Sequence, residues 1–84
     1  MIERDIKQFV LKALLRAGVQ PIQDDTLREM VRAAYRHVAI PEPDLTQWLK
    51  ELETCGLIVG NNDAVFGWNW ALTLAGKPKA QQVP

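Results

Sequence analysis

The chain contains no serine, a single cysteine and a single histidine. Without serine there is no serine nucleophile and no Ser-His-Asp arrangement. Cys55 alone closes no internal disulfide, and with His37 it falls short of the three or four ligands of a protein zinc site. A P-loop, a dinucleotide-binding glycine motif and a pair of carboxylates with an evident pocket are also missing. These absences argue against an enzyme, a cofactor and a bound metal. Neither sign of charge is in excess, since ten Lys and Arg balance ten Asp and Glu, so no global field draws the molecule to polyanions. Long apolar runs are lacking too. FVLKALL is interrupted by Lys12 and is far shorter than the roughly 18 residues of a membrane span. No membrane segment or signal peptide is expected, and one unpaired cysteine fits a reduced, cytoplasmic setting. The most telling absence is local: GNNDAVFGWNWALTLAG, residues 60–76, carries no lysine or arginine.

What remains is an ordinary globular composition, 48% apolar and 24% charged over 84 residues. A chain of this length buries only roughly 60–65% of the surface its unfolded form exposes, so its core must be efficient. Ile2, Ile6, Phe9, Val10, Ala13, Leu14 and Ala17 recur at helical spacing and predict a first helix from about Glu3 to Ala17, stopped by Gly18. VQPIQ, broken by Pro21, suits a short edge strand. DDTLREMVRAAYRHV predicts a second helix of about thirteen residues, with a Thr26 to Glu29 capping box and Leu27, Met30, Val31, Ala34 and Val38 inward. The prolines of AIPEP impose a turn. Asp44 is the expected cap of a third helix, with Gln47 as its partner and Leu45, Trp48, Leu49 and Leu52 facing the core up to Gly56. LIV then reads as a strand and GNND as a turn. Phe66, Trp68, Trp70, Leu72 and Leu74 form the inward face of a last strand. The expected domain covers residues 1–76, with 77–84 as a flexible C-terminal tail.

Two stretches carry a family likeness. DLTQWLKELETCGLI resembles the third helix and following strand of winged helix-turn-helix proteins, and WALTLAG resembles the close of the wing in small bacterial regulators. The matched elements span most of residues 3–76, and the chain is similar, less specifically, to the small winged-helix proteins of Mu-like prophages. The resemblance implies an α+β fold, mostly α: a three-helix core, a short first strand and a C-terminal two-stranded β-hairpin wing. It also implies DNA binding and transcription regulation. The long second helix and the two-proline turn depart from the compact helix-turn-helix and leave its docking geometry open.

Candidate DNA contacts follow. Arg28, Arg32 and Arg36 are spaced four apart on the second helix, where they either grip phosphates or solvate an exposed face beside Asp25 and Glu29. Thr46, Gln47 and Lys50 lie opposite the apolar face of the third helix and are residue types that read base edges. From Glu42 to Glu53, however, four acids face one base. With Lys77 or Lys79 added, at most five phosphate contacts are available per monomer, below the roughly 6–10 of a strong salt-sensitive binder. A homodimer would double the count, and Leu11 and Leu15, on the far side of the first helix, are the candidate interface; the alternatives are burial inside the domain or cover by the C-terminal tail. Trp48, Trp68 and Trp70 read as core, His37 as a helix-end cap, and Asp24 and Asp25 as N-terminal caps. Two functions are therefore expected in competition. One is a small, dimeric winged-helix DNA-binding regulator with the third helix presented to double-stranded DNA and the arginines on the backbone. The other is a winged-helix protein-interaction module, such as a prophage accessory protein, using its acidic third helix and uncharged wing.

Overall fold

The periodic apolar residues near the N-terminus form helix α1 (Ile2–Ala17), which buries Ile6, Val10, Leu11, Ala13 and Leu14. Gly18 ends it: φ is +68°, and its N–H donates to the Leu15 carbonyl at 3.1 Å, the left-handed stop that glycine adopts without steric cost. The computed structural model describes residues 2–18 and 20–84. Val19, the first residue of the expected edge strand, lies outside the described residues, as does Met1. The strand itself, β1, is confined to Ile22–Gln23.

Helix α2 (Asp24–Ala34) follows without a break and buries Leu27 and Val31. It begins ahead of Thr26, so the expected capping box is not used. Asp24 and Asp25 sit instead in the first turn, where carboxylates meet the positive end of the helix dipole. The helix is shorter than predicted. Tyr35 leaves helical geometry at φ −120°, ψ 41°. Its hydroxyl donates to the Asp5 carbonyl at 3.3 Å and its ring meets Phe9 edge-on at 6.0 Å, so docking onto α1 overrides the helical pattern of residues 35–38. His37 consequently lies in the turn beyond the helix.

Helix α3 (Glu42–Thr54) likewise starts earlier than its expected cap, with Pro43 in the first turn. A proline is accommodated there because the N–H it lacks would have no intrahelical partner. Asp44 is thus a first-turn residue, and Leu45, Leu49 and Leu52 are buried. The helix closes at Gly56, φ +78°, with the Leu57 N–H donating back to the Leu52 carbonyl at 3.1 Å.

Strands β2 (Ile58–Asp63) and β3 (Gly67–Leu72) make an antiparallel hairpin, and β1 pairs antiparallel with the other side of β3. The sheet order is β1-β3-β2, with Trp70 opposite both Ile22 and Gly60. GNND belongs to β2, and the turn falls one step later, at residues 64–66. Gly67, φ +79°, supplies the left-handed position that a three-residue hairpin loop needs. The expected inward aromatic face is only partly realised: Trp70 is 3% exposed, but Trp68 is 40%, Phe66 66% and Leu74 93% exposed. Phe66 sits in the turn and Leu74 beyond the end of β3.

The expected C-terminal tail contains a further helix, α4 (Gly76–Gln81), whose Ala80 is fully buried. Thr73 organises its start. The Thr73 N–H donates to the Leu57 carbonyl at 3.1 Å and its hydroxyl to the Gly56 carbonyl at 2.5 Å, while the Gly76 N–H donates to Thr73 Oγ1 at 2.9 Å. Lys12 of α1 then donates to the Val83 carbonyl at 3.0 Å. The described residues therefore form an α+β arrangement of four helices and one three-stranded antiparallel sheet. Its core joins α1, α2, α3 and the sheet through Ile6, Leu14, Leu27, Leu45, Leu49 and Ile58.

Candidate functional site

The arginine stripe does not survive folding as a stripe. Arg28 Nε donates to Asp24 Oδ2 at 2.9 Å and its Nη1 to Glu42 Oε2 at 2.7 Å, leaving the side chain only 14% exposed. Arg32 donates to the other oxygen of the same Glu42. The first residue of α3 thus joins two guanidinium groups of α2, and the hydrogen bond from Arg32, aided by the charge of Arg28, holds the Glu42 carboxyl below its usual range. Arg36 lies past the end of α2 and borders a shallow depression with Val38, Ile40 and Pro41. The pairing acids are Asp24 and Glu42, not the expected Asp25 and Glu29.

On α3, Gln47 donates to Glu51 Oε2 at 3.1 Å. Glu51 in turn accepts from Lys7 Nζ at 2.7 Å, and Lys7 reaches Glu3 at 2.8 Å. These contacts raise the Lys7 pKa, with the Glu3 hydrogen bond the larger cause, and lower that of Glu51, with Lys7 the larger cause. Gln47 and Glu51 are thereby drawn toward α1. Thr46 and Lys50 remain, and they border a cleft of about 240 Å³ with Asp24, Arg28, Trp68 and Trp70. Its floor is fixed: Trp70 Nε1 donates to Asp24 Oδ1 at 2.8 Å while Asp24 Oδ2 holds Arg28. Trp68 meets Trp70 edge-on, 5.8 Å between ring centres, and lies against Gly60, where an added Cβ would come within 2.8 Å of its indole. Lys50 is exposed and forms no ion pair among the described residues. Trp48 is half-buried against the core.

The hairpin tip is apolar. Asp63 Oδ1 accepts the N–H groups of Val65 at 2.7 Å and Phe66 at 2.9 Å. Those two bonds, Phe66 the larger cause, hold its pKa below the usual aspartate range. With its backbone donors satisfied by a carboxylate, the turn presents Val65, 80% exposed, and Phe66 as its outermost side chains.

Of the two leucines expected at a dimer interface, Leu11 is only 6% exposed and belongs to the protomer's own buried cluster, on the helix against which α4 packs. Leu15 is half-buried beside a groove with Ala71, Leu72, Leu74 and Lys77. Lys79 is exposed on α4. Leu11 is thus covered within the chain's own fold, on a helix that both the core and the C-terminal segment pack against. The folded chain therefore brings Thr46 and Lys50 to one cleft with Arg28, whereas Arg36 and Lys77 border other depressions.

Family models, curated proteins and solved structures give no match to this chain. Among the described residues no group of three or more His, Cys, Asp and Glu is placed to hold a metal, and no helix is long and apolar enough to cross a membrane. The apolar tip and the Trp68 cleft were missed by sequence reasoning. Their signals were the Val65 and Phe66 pair before Gly67, and the Gly60 that Trp68 needs as a neighbour.

Proposed function

We propose that this chain is a winged-helix domain that works by docking onto another protein. The element order, and the placement of β1 beside the hairpin in an antiparallel sheet, support the winged-helix reading. One observation carries the choice of partner: two of the three arginines expected on phosphate are ion-paired with Glu42 and Asp24, while the hairpin has no cation and ends in Val65 and Phe66. Arg36, Lys50 and one of Lys77 or Lys79 are left as phosphate contacts. Three contacts correspond to a log–log salt slope of about −2.7 on B-DNA, far from that of a tight duplex binder. An exposed apolar tip with a polar flank is instead what a protein interface uses.

The second reading, a DNA-binding regulator presenting α3 to the groove, keeps one supporting feature, Lys50, exposed beside Thr46 on α3 and in no ion pair among the described residues. Salt titration of binding to mixed-sequence duplex DNA separates the two. The docking reading expects no measurable duplex binding at moderate salt, and no change when Arg28, Arg32 and Arg36 become alanine. Tight duplex binding whose slope flattens in Lys50→Ala would replace it with the DNA reading.

A further inference from the structure

The cleft between α3 and the hairpin has a definite chemistry. Its volume of about 240 Å³ is below the roughly 300–1,000 Å³ of small-molecule and cofactor pockets, so it suits one side chain with a neighbouring polar group. One wall is Trp68, half-exposed but held in place by its edge contact with Trp70 and its rest against Gly60. An aromatic surface fixed in this way offers contact area without further ordering cost. Thr46 and Lys50 of α3 line the cleft with it.

The charges decide the occupant. Asp24 is committed to Arg28 and to the Trp70 indole, Arg28 is committed also to Glu42, and nearby Glu53 Oε2 accepts the Gly60 N–H at 3.1 Å. Lys50 is left as the charged group of the cleft that forms no ion pair among the described residues. An ammonium without an ion pair takes a single carboxylate, and the acids held around it oppose a run of phosphates. We infer that this cleft binds a segment of a partner protein in which an aromatic or proline ring stands beside an Asp or Glu, the ring on Trp68 and the carboxylate on Lys50. The inference rests on the protein-docking reading and adds to it the site and the chemistry of the partner.

Selection from a display library of random heptapeptides tests it, using the full chain and its exposed-site variant Lys50→Glu in parallel. The wild type should enrich peptides with a ring beside an acid, and Lys50→Glu should enrich Lys or Arg at the position of the acid. Peptides from the wild-type selection should bind Lys50→Glu roughly tenfold more weakly, a difference of about 1.4 kcal/mol. They should also shift the Trp68 indole N–H resonance. Enrichment without an acid preference, no enrichment, an unmoved Trp68 resonance, or tighter binding of a single-stranded thymidine oligonucleotide would each overturn the inference. Peptides indifferent to Lys50→Glu but lost on Phe66→Ser would remove the cleft while leaving protein docking in place. Duplex binding that depends on Lys50 would remove the docking reading itself.

Discussion

A single methyl group at Gly76 tests whether α4 is seated as described. An ideal Cβ at Gly76 lies 1.9 Å from the Leu57 carbonyl oxygen and 2.8 Å from the carbonyl carbon. Both atoms are backbone, and the oxygen is held by the Thr73 N–H at 3.1 Å, so it cannot retreat without breaking the base of the hairpin. Intrinsic helix preference acts in the opposite direction, favouring alanine over glycine by about 0.5–1 kcal/mol. Overpacking a fitted site costs about 1–3 kcal/mol. Relief by lifting α4 away would expose the fully buried Ala80 and break the Gly76 to Thr73 bonds. The clash should win, so Gly76→Ala should lower stability by roughly 1–3 kcal/mol. For a domain of this size that is a fall in Tm of about 4–24 °C. Thermal unfolding followed by circular dichroism measures it, with a chain ending at Ala75 as the companion, which should be at least as destabilised. A Gly76→Ala protein as stable as wild type, or more so, would show that helix preference governs this position and that α4 is not packed on Leu57.

Three further outcomes are expected. Leu49→Ala, at a site 1% exposed, should cost about 2–5 kcal/mol; an unchanged guanidinium midpoint would refute the central place of α3 in the core. Trp70→Phe removes the indole bond to Asp24 and should cost about 1–3 kcal/mol, read as a lower urea midpoint; retention of the wild-type midpoint would mean the bond contributes nothing. Because the folded-state pKa of Glu42 is lowered by Arg32 and Arg28, its contribution is present above the unfolded value and is lost as pH falls through the folded one. Glu42→Gln should therefore be less stable than wild type at neutral pH and converge with it in acid; a gap that persists unchanged in acid would exclude the ion pairs as its source.

The helices were legible because each writes its buried face at helical spacing: Ile6, Val10 and Leu14 in α1, Leu27 and Val31 in α2, Leu45, Leu49 and Leu52 in α3. Their ends were less so. Nothing local stops α2 at Ala34; the stop comes from Tyr35 reaching Asp5 and Phe9 on another helix. Asn61, Asn62 and Asp63 form a strong turn signal, yet Gly67 holds the left-handed position and Asp63 turns its carboxylate forward onto Val65 and Phe66. That shift of phase makes the tip apolar where a polar one was expected. The arginine spacing was equally plain in sequence, but the acid that neutralises Arg28 and Arg32 comes from the start of α3, a pairing that only tertiary structure reveals. The tryptophan alternation pointed to a core, and it held for Trp70. Trp68 stands one pair from the turn, where α3 faces it only across the cleft.

Thr73 carries one more implication. Through its N–H and hydroxyl it closes the base of the hairpin onto Gly56 and Leu57, and through its oxygens it starts α4. The two ends of the molecule therefore share one latch. Anything that pries β3 from β2 at the base also unfastens α4 and bares the flank of α1 that it packs on, so the hairpin and α4 should open as one cooperative unit, with the Thr73 and Gly76 amides exchanging at a common rate. A ligand that clamps the hairpin would steady a surface it never touches.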